Sequence, residues 1–381
     1  MTSSGLLVSA GEASGDQRAA RVISVLRRRH PGLPVWGLGS DELRSAGLEP
    51  LADSREISVV GISEALSILP RAGEIFRSLL AAAERRRPRA ALLIDFPEFN
   101  LRLARELAWR GIPVVYYVSP QIWAWRRGRV RTVADTVAKM LVLFPFETAF
   151  YRSHGVPVTH VGHPLVDEVP ELAGAWDGAG GRSPVERYRI ALLPGSRRSE
   201  VRALLPTLLG AVKRMGERLP VEPFVVRAPS LEPEELGSLV SASGLDVPVV
   251  ADDRYSAIAS AHLALCASGT ATLETGLLRT PMLVIYRLSR WSHALARLLV
   301  RVPHVGLVNL VLGQRAVPEL IQDDARPERI AQEALALLGD RPRIERTRRL
   351  LAELRERLGP PGASERAADE IERYLLPRAV A

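Results

Sequence analysis

The chain has 381 residues, 47% hydrophobic and 25% charged, which allows two to three domains with cores of their own and excludes an intrinsically disordered chain. Its net charge of +8 attracts polyanions whatever the fold, but Lys139 and Lys213 are the only lysines and neither follows a glycine, so a Walker phosphate loop is excluded. Cys266 stands alone, which excludes a disulfide framework or a cysteine-rich zinc site within the chain and fits a reducing compartment.

In chain order, Leu6 to Ala10 reads as a strand. No basic region or long apolar core of a signal peptide precedes it, so a cytoplasmic chain is expected. The strand runs into "SAGEASGD" (Ser9 to Asp16), where Gly11 and Gly15 allow a tight turn and close approach of backbone to a ligand. This is not the dinucleotide fingerprint, whose glycine spacing is missing. A helix over about Asp16 to Arg29 and a strand over Val35 to Leu38 follow. Val59 and Val60, then Ile62, Ala65, Leu66 and Leu69, form an apolar stripe at helical spacing, suited to lipid contact or to a core.

The strand Ala90 to Ile94 leads into Asp95, with Glu98 three residues on. A carboxylate at a strand end can be desolvated enough to act as a general base; capping the next helix is the structural alternative. A helix over Leu101 to Trp109 and strands over Val114 to Val118 and Met140 to Phe144 continue the alternation, which means a parallel sheet. Trp123 and Trp125 beside Arg126, Arg127 and Arg129 suit either single-stranded nucleic acid or burial at a domain face.

From Glu171 to Pro184 glycines and small residues carry no period, as in a linker. Strands then recur at Ile190 to Leu193, Phe224 to Val226, Val247 to Val250, Leu263 to Cys266 and Met282 to Ile285, with a helix over about Glu200 to Leu219. Two α/β sheets joined by a linker follow, with ligands expected where loops leave the carboxyl ends of strands. "LLPGSRRSEV" sets Ser196 and Arg197 at a helix start, suited to a diphosphate, or to a capping serine and a solvated arginine. "CASGTATLE" opens a helix at Ser268, Gly269 and Thr270 and carries Glu274 about one turn inside, where a carboxylate can accept both ribose hydroxyls. Trp291, Leu295, Leu298 and Val302 form a second apolar stripe beside Arg290, Arg297 and Arg301, a basic amphipathic pattern suited to an anionic interface or to a core-facing helix. The longest uncharged run, Tyr255 to Leu273, is interrupted by Ser256, Ser260, His262 and Ser268, so no transmembrane helix is expected. Beyond Pro327 the chain reads as helical.

In this order, "SAGEASGD", "GISEAL", "IDFPEFN", "YYVSPQIWAW", "LFPFE", "VGHPL", "LLPGSR", "ASGTATLE" and "NLVLGQRAVPELIQ" resemble the lipid-A-disaccharide synthase family, inverting glycosyltransferases of the GT-B type, over almost the whole chain. The resemblance implies two Rossmann-like parallel-sheet domains facing a cleft: residues 1–169 on the acceptor and lipid side, a linker over 170–187, a UDP-donor domain over 188–345, and C-terminal helices over 346–381 crossing back to the first domain. It implies transfer of 2,3-diacylglucosamine from its UDP derivative to the 6-hydroxyl of 2,3-diacylglucosamine 1-phosphate. Asp95 is then the expected catalytic base and Glu98 an accessory candidate. Glu12, Ser196, Arg197, Ser268, Gly269, Thr270, Glu274 and Asn309 are expected on the donor side, and Val59, Val60, Ile62, Leu66, Leu69, Trp291, Leu295 and Leu298 in lipid contact. No cofactor, metal or nucleic acid is expected. The location implied is peripheral, on the inner face of the inner membrane, with a homodimer left open. Competing readings are another UDP-sugar GT-B enzyme, such as a UDP-N-acetylglucosamine epimerase, and a non-catalytic polyanion binder.

Overall fold

The computed structural model describes residues 5–57, 68–124, 127–176, 186–287 and 303–376. The chain divides into two compact units, Met1–Pro164 with Pro360–Ala381, and Leu165–Gly359.

The first unit holds a seven-stranded parallel sheet: β1 (Leu6–Ala10), β2 (Val35–Gly39), β3 (Glu49–Asp53), β4 (Ala90–Ile94), β5 (Val114–Tyr117), β6 (Lys139–Val142) and β7 (Val158–His160). Their order is β3-β2-β1-β4-β5-β6-β7. All five residues of β1 and of β4 are buried, as expected of strands covered on both faces. Because side chains alternate across a strand, Leu6, Val8, Leu92 and Ile94 pack on one face with Ile23 and Leu26 of the helix Ala13–Arg29 and Ile371 of the helix Ala363–Leu375. Leu7, Ala91 and Leu93 pack on the other with Leu79 of the helix Leu69–Arg86 and Leu103 of the helix Pro97–Trp109.

The second unit holds a six-stranded parallel sheet of β8 (Tyr188–Leu193), β9 (Val221–Val226), β10 (Val249–Val250), β11 (Leu263–Ala267), β12 (Met282–Tyr286) and β13 (Glu319–Ile321), ordered β10-β9-β8-β11-β12-β13. One face is closed by the helices Arg198–Gly216 and Pro327–Leu338, through Leu205, Leu209, Ile330 and Leu337. The expected α/β architecture is therefore present twice.

Two boundaries differ from the sequence reading. The first unit's opening run ends at Pro164, not 169, and the boundary before the terminal segment falls at Gly359/Pro360, not 345/346. The helix Arg341–Arg357 buries Ile344, Leu351 and Leu354 within the second unit, where a Cβ on Gly276 would meet Leu354 Cδ2 at 2.7 Å. Of these two terminal helices, Ala363–Leu375 is the one that belongs with the first unit, tied by Arg29 to Asp369 at 2.7 Å and by Arg89 to the Leu375 carbonyl at 2.6 Å. Part of the expected linker, residues 177–185, lies outside the described residues.

In each sheet the strand order reverses direction once, between β1 and β4 and between β8 and β11. Such switch points are where open α/β sheets receive ligands.

Candidate active site

At the first switch point Ala10 pairs with Ile94, so the loops beginning at Gly11 and Asp95 leave neighbouring strands side by side. Asp95 has φ +45° and Phe96 φ +50°. Two consecutive left-handed non-glycine residues are strained and persist only where surrounding contacts impose them. Those contacts are present. The Asp95 N–H donates to the Tyr117 carbonyl at 3.1 Å, and the Tyr116 hydroxyl donates to the Asp95 carbonyl at 2.6 Å. The wholly buried amide of Asn100 donates to the carbonyls of Ile94 at 3.0 Å and Asp95 at 2.9 Å, and accepts from the Ser9 hydroxyl at 2.7 Å. Asn100 thus stitches the end of β1 to the loop after β4. Asp95 is left partly buried at the head of the sheet.

The glycines of "SAGEASGD" serve this construction. A Cβ on Gly11 would lie 2.3 Å from the Phe96 ring, and one on Gly15 would lie 3.3 Å from Ile94 Cγ2. The first admits the ring of the strained residue and the second lets the helix approach β4; the close approach expected toward a ligand is made to Phe96. Asp16 is buried and accepts from the N–H groups of Ser40 at 2.7 Å and Glu42 at 3.1 Å, holding the next helix start. Glu12 is exposed at the N-cap of the helix Ala13–Arg29. Glu98 is exposed in the first turn of the helix Pro97–Trp109 and pairs with Arg129 at 2.8 Å.

The loop after β5 is also built under strain. Val118 has φ +65°, unusual for a β-branched residue. Beyond it, the Ser119 hydroxyl meets that of Tyr151 at 2.7 Å, and the Trp123 indole donates to Glu147 at 3.0 Å.

At the second switch point, Ser196 and Arg197 follow β8 and are exposed. Arg197, not Ser196, is the N-cap of the helix Arg198–Gly216, and its guanidinium lies 3.3 Å from Glu200. After β11, Gly269 is the N-cap of the helix Thr270–Leu277 with φ +154°, and nothing lies within 4 Å of a Cβ built there. The first N–H groups of that helix have no side-chain cap, which leaves an anion-binding end. The Ser268 hydroxyl donates to the Val305 carbonyl at 3.0 Å. Glu274 pairs with Arg254 at 3.0 Å, and burial raises its carboxyl above the ordinary range, against the pull of Arg254.

Asn309 is placed otherwise than expected. It is wholly buried, its amide donating to the Val317 carbonyl and to Glu319, both at 2.9 Å, and accepting from the N–H groups of Ala316 at 2.9 Å and Val317 at 3.0 Å. Glu319 also accepts from the N–H groups of Val305 at 3.0 Å and Gly306 at 2.9 Å. The amide is taken up in holding the Val305–Val317 segment to β13.

Of the lipid-contact candidates, Leu69 is 59% exposed at the start of the helix Leu69–Arg86. Val59, Val60, Ile62, Leu66, Trp291, Leu295 and Leu298 lie outside the described residues. Among the described residues, no helix is long and apolar enough to cross a membrane.

The model of the family described as lipid-A-disaccharide synthetase matches residues 6–370. The lipid-A-disaccharide synthase of Anaeromyxobacter dehalogenans (strain 2CP-1 / ATCC BAA-258) is 48% identical over 369 residues, 96% of each chain. That of Myxococcus xanthus (strain DK1622) is 45% identical over 377 residues, 98% of each. The chain belongs to the lipid-A-disaccharide synthase family. Among solved structures, CalG4, the calicheamicin glycosyltransferase, is similar over 100% of both chains with a TM-score of 0.60 and 18% identity. An S. aureus MnaA–UDP co-structure matches 97% of this chain and 96% of its own with a TM-score of 0.63 and 13% identity. The fold is that of the GT-B glycosyltransferases, and in this chain it carries the strained Asp95 loop on one unit and two helix starts without a side-chain cap on the other.

Asn100, Glu147 and Glu319 were not picked out from the sequence as site residues. Their partners lie up to 91 residues away, and the signal the sequence offered was that each stands inside a motif of the resemblance.

Proposed function

We propose that the protein transfers 2,3-diacylglucosamine from its UDP derivative to the 6-hydroxyl of 2,3-diacylglucosamine 1-phosphate, giving the β-1,6-linked lipid A disaccharide 1-phosphate and UDP. The observation that carries the reading is end-to-end similarity, at 48% identity, to a relative named for this synthesis. Inversion at the anomeric carbon needs one in-line displacement. Asp95 takes the proton of the attacking hydroxyl while the oxygen bonds to the anomeric carbon and the UDP oxygen departs with the electron pair. The strained backbone of Asp95 and Phe96, held by Asn100, Tyr116 and Tyr117, supports a base fixed in direction before substrate arrives.

On the second unit, Arg197, the N–H groups at Thr270 and the two helix dipoles suit the diphosphate, whose charge grows as the bond breaks. Glu274 suits the ribose hydroxyls once ligand displaces Arg254. Exposed Glu12 is a further polar contact for the donor, Ser196 and Ser268 belong to the donor loops, and Glu98 serves the fold through Arg129.

Both substrates carry acyl chains, which supports a peripheral place on the anionic inner face of the inner membrane. Exposed Leu69 is consistent with it. Flotation with anionic vesicles should show binding at low salt that weakens as salt screens it; no binding at low salt contradicts this part. The test of function is product formation from the UDP-diacylglucosamine donor and the lipid monosaccharide 1-phosphate. Release of UDP without disaccharide, or epimerisation of UDP-N-acetylglucosamine, would overturn the reading.

A further inference from the structure

Glu147 lies in the first turn of the helix Pro145–Arg152 and is 3% exposed. One carboxylate oxygen accepts from the Phe144 N–H at 3.1 Å and closes the helix start; the other accepts from the Trp123 indole at 3.0 Å. Burial pushes its carboxyl up to about 7, although hydrogen bonds from Phe144, Ser119, Trp123 and Leu143 pull the other way. A helix cap alone needs one acceptor oxygen and no desolvation. The second oxygen, turned to Trp123, is what burial of this carboxylate secures.

Trp123 ends the short turn Gln121–Trp123, its ring edge-on to Phe146 at 4.8 Å, and Phe146 stacks on Phe144 at 5.4 Å. Tyr151, on the same helix as Glu147, meets the Ser119 hydroxyl at 2.7 Å. One helix therefore grips both ends of the Ser119–Trp123 loop. That loop starts directly after strained Val118, and the residues just before it, Tyr116 and Tyr117, hold the backbone of Asp95.

We propose that Glu147 is a positioning residue for the acceptor: by fixing Trp123 and Ser119 it holds the Ser119–Trp123 loop in the shape that receives the acceptor sugar beside Asp95. The inference rests on Asp95 being the base, because what flanks the base then faces the acceptor and not the nucleotide. Glu147 acts through Trp123 and touches neither substrate.

Trp123→Phe removes the indole N–H, keeps an aromatic ring and leaves the helix cap untouched. Glu147→Gln keeps the shape but replaces one acceptor oxygen by an NH2 group, so it cannot accept from both the Phe144 N–H and the Trp123 indole. With both substrates varied, each variant should raise the acceptor KM about tenfold, the worth of one charge-assisted hydrogen bond, and leave the donor KM within about twofold. The double variant should be no worse than the weaker single, since one interaction is lost only once. A wild-type acceptor KM in Trp123→Phe, or losses that multiply in the double variant, overturn the inference. Should Glu147→Gln fail to fold, Trp123→Phe decides alone. Asp95→Asn assayed alongside separates the two failures: inactive Asp95→Asn with an indifferent Trp123→Phe removes only the positioning role, and active Asp95→Asn takes both down.

Discussion

Asn100→Asp tests whether the fold holds the Asp95 loop in place by hydrogen bonding. The substitution keeps the shape of the side chain and removes its N–H groups. In the native chain these reach the carbonyls of Ile94 and Asp95 at 3.0 and 2.9 Å, with the Ser9 carbonyl further off at 3.3 Å. The site is wholly buried, so water cannot replace the lost donors and a carboxylate oxygen would face the carbonyl oxygens. The Asp95 carbonyl keeps the Tyr116 hydroxyl, so the acceptor that loses its side-chain donor outright is the Ile94 carbonyl, at a cost of about 1–3 kcal/mol. For a unit of this size that lowers Tm by roughly 2–12 °C. Below the melting range turnover should still fall by about tenfold or more, because two left-handed residues keep their direction only while their contacts impose it. A melting curve and single-turnover product formation on the same preparation measure both effects. Wild-type melting with wild-type turnover would refute the reasoning, and a lowered Tm with normal turnover would leave Asn100 a structural residue only.

Gly11→Ala should also act through Phe96, since its Cβ would lie 2.3 Å from that ring, whereas Gly15→Ala meets Ile94 at 3.3 Å; turnover measured for both should fall further in the first. Arg197→Ala should cut productive use of the UDP donor by about ten- to a hundredfold, the range of a charge-assisted phosphate contact. Its exposed ion pair with Glu200 adds little to stability, so melting should be unchanged, and unaltered steady-state kinetics would take Arg197 out of the site. Glu147 makes a pH prediction of definite sign. Its folded pKa of about 7 lies above the ordinary 4.5, so the stabilisation is full below 4.5, declines as pH rises and is gone above about 7. The loss is about 3 kcal/mol. Tm measured across that window should fall more for the native protein than for Glu147→Gln, and parallel curves would contradict it.

The interior strands were legible because strands buried on both faces read as short apolar runs: β1 and β4 were bounded to the residue by Leu6 to Ala10 and Ala90 to Ile94. β3, β7 and β13 went unread. Each lies at a sheet edge, and Glu49–Asp53 carries two acids and a proline, so no apolar run marks it. The place of Asp95 at a strand end was legible from the run before it. Its left-handed backbone was not, because what imposes that conformation comes from Ser9, Tyr116 and Tyr117, through contacts absent from the local pattern. Asn309 shows the converse. A motif brought it to notice as a donor contact, but only the structure shows that Glu319, Ala316 and Val317 already take its amide.

The central claim is that Asp95 takes the acceptor's proton. Asp95→Asn nearly preserves shape and removes the proton acceptor. Single-turnover product formation with saturating UDP-diacylglucosamine, alongside UDP binding by calorimetry and a melting curve, tests the claim most directly. The account predicts a fall of about 100-fold or more with UDP affinity and Tm retained. Near-normal turnover in folded Asp95→Asn would contradict it, and a larger loss in Glu98→Gln would move the base to Glu98.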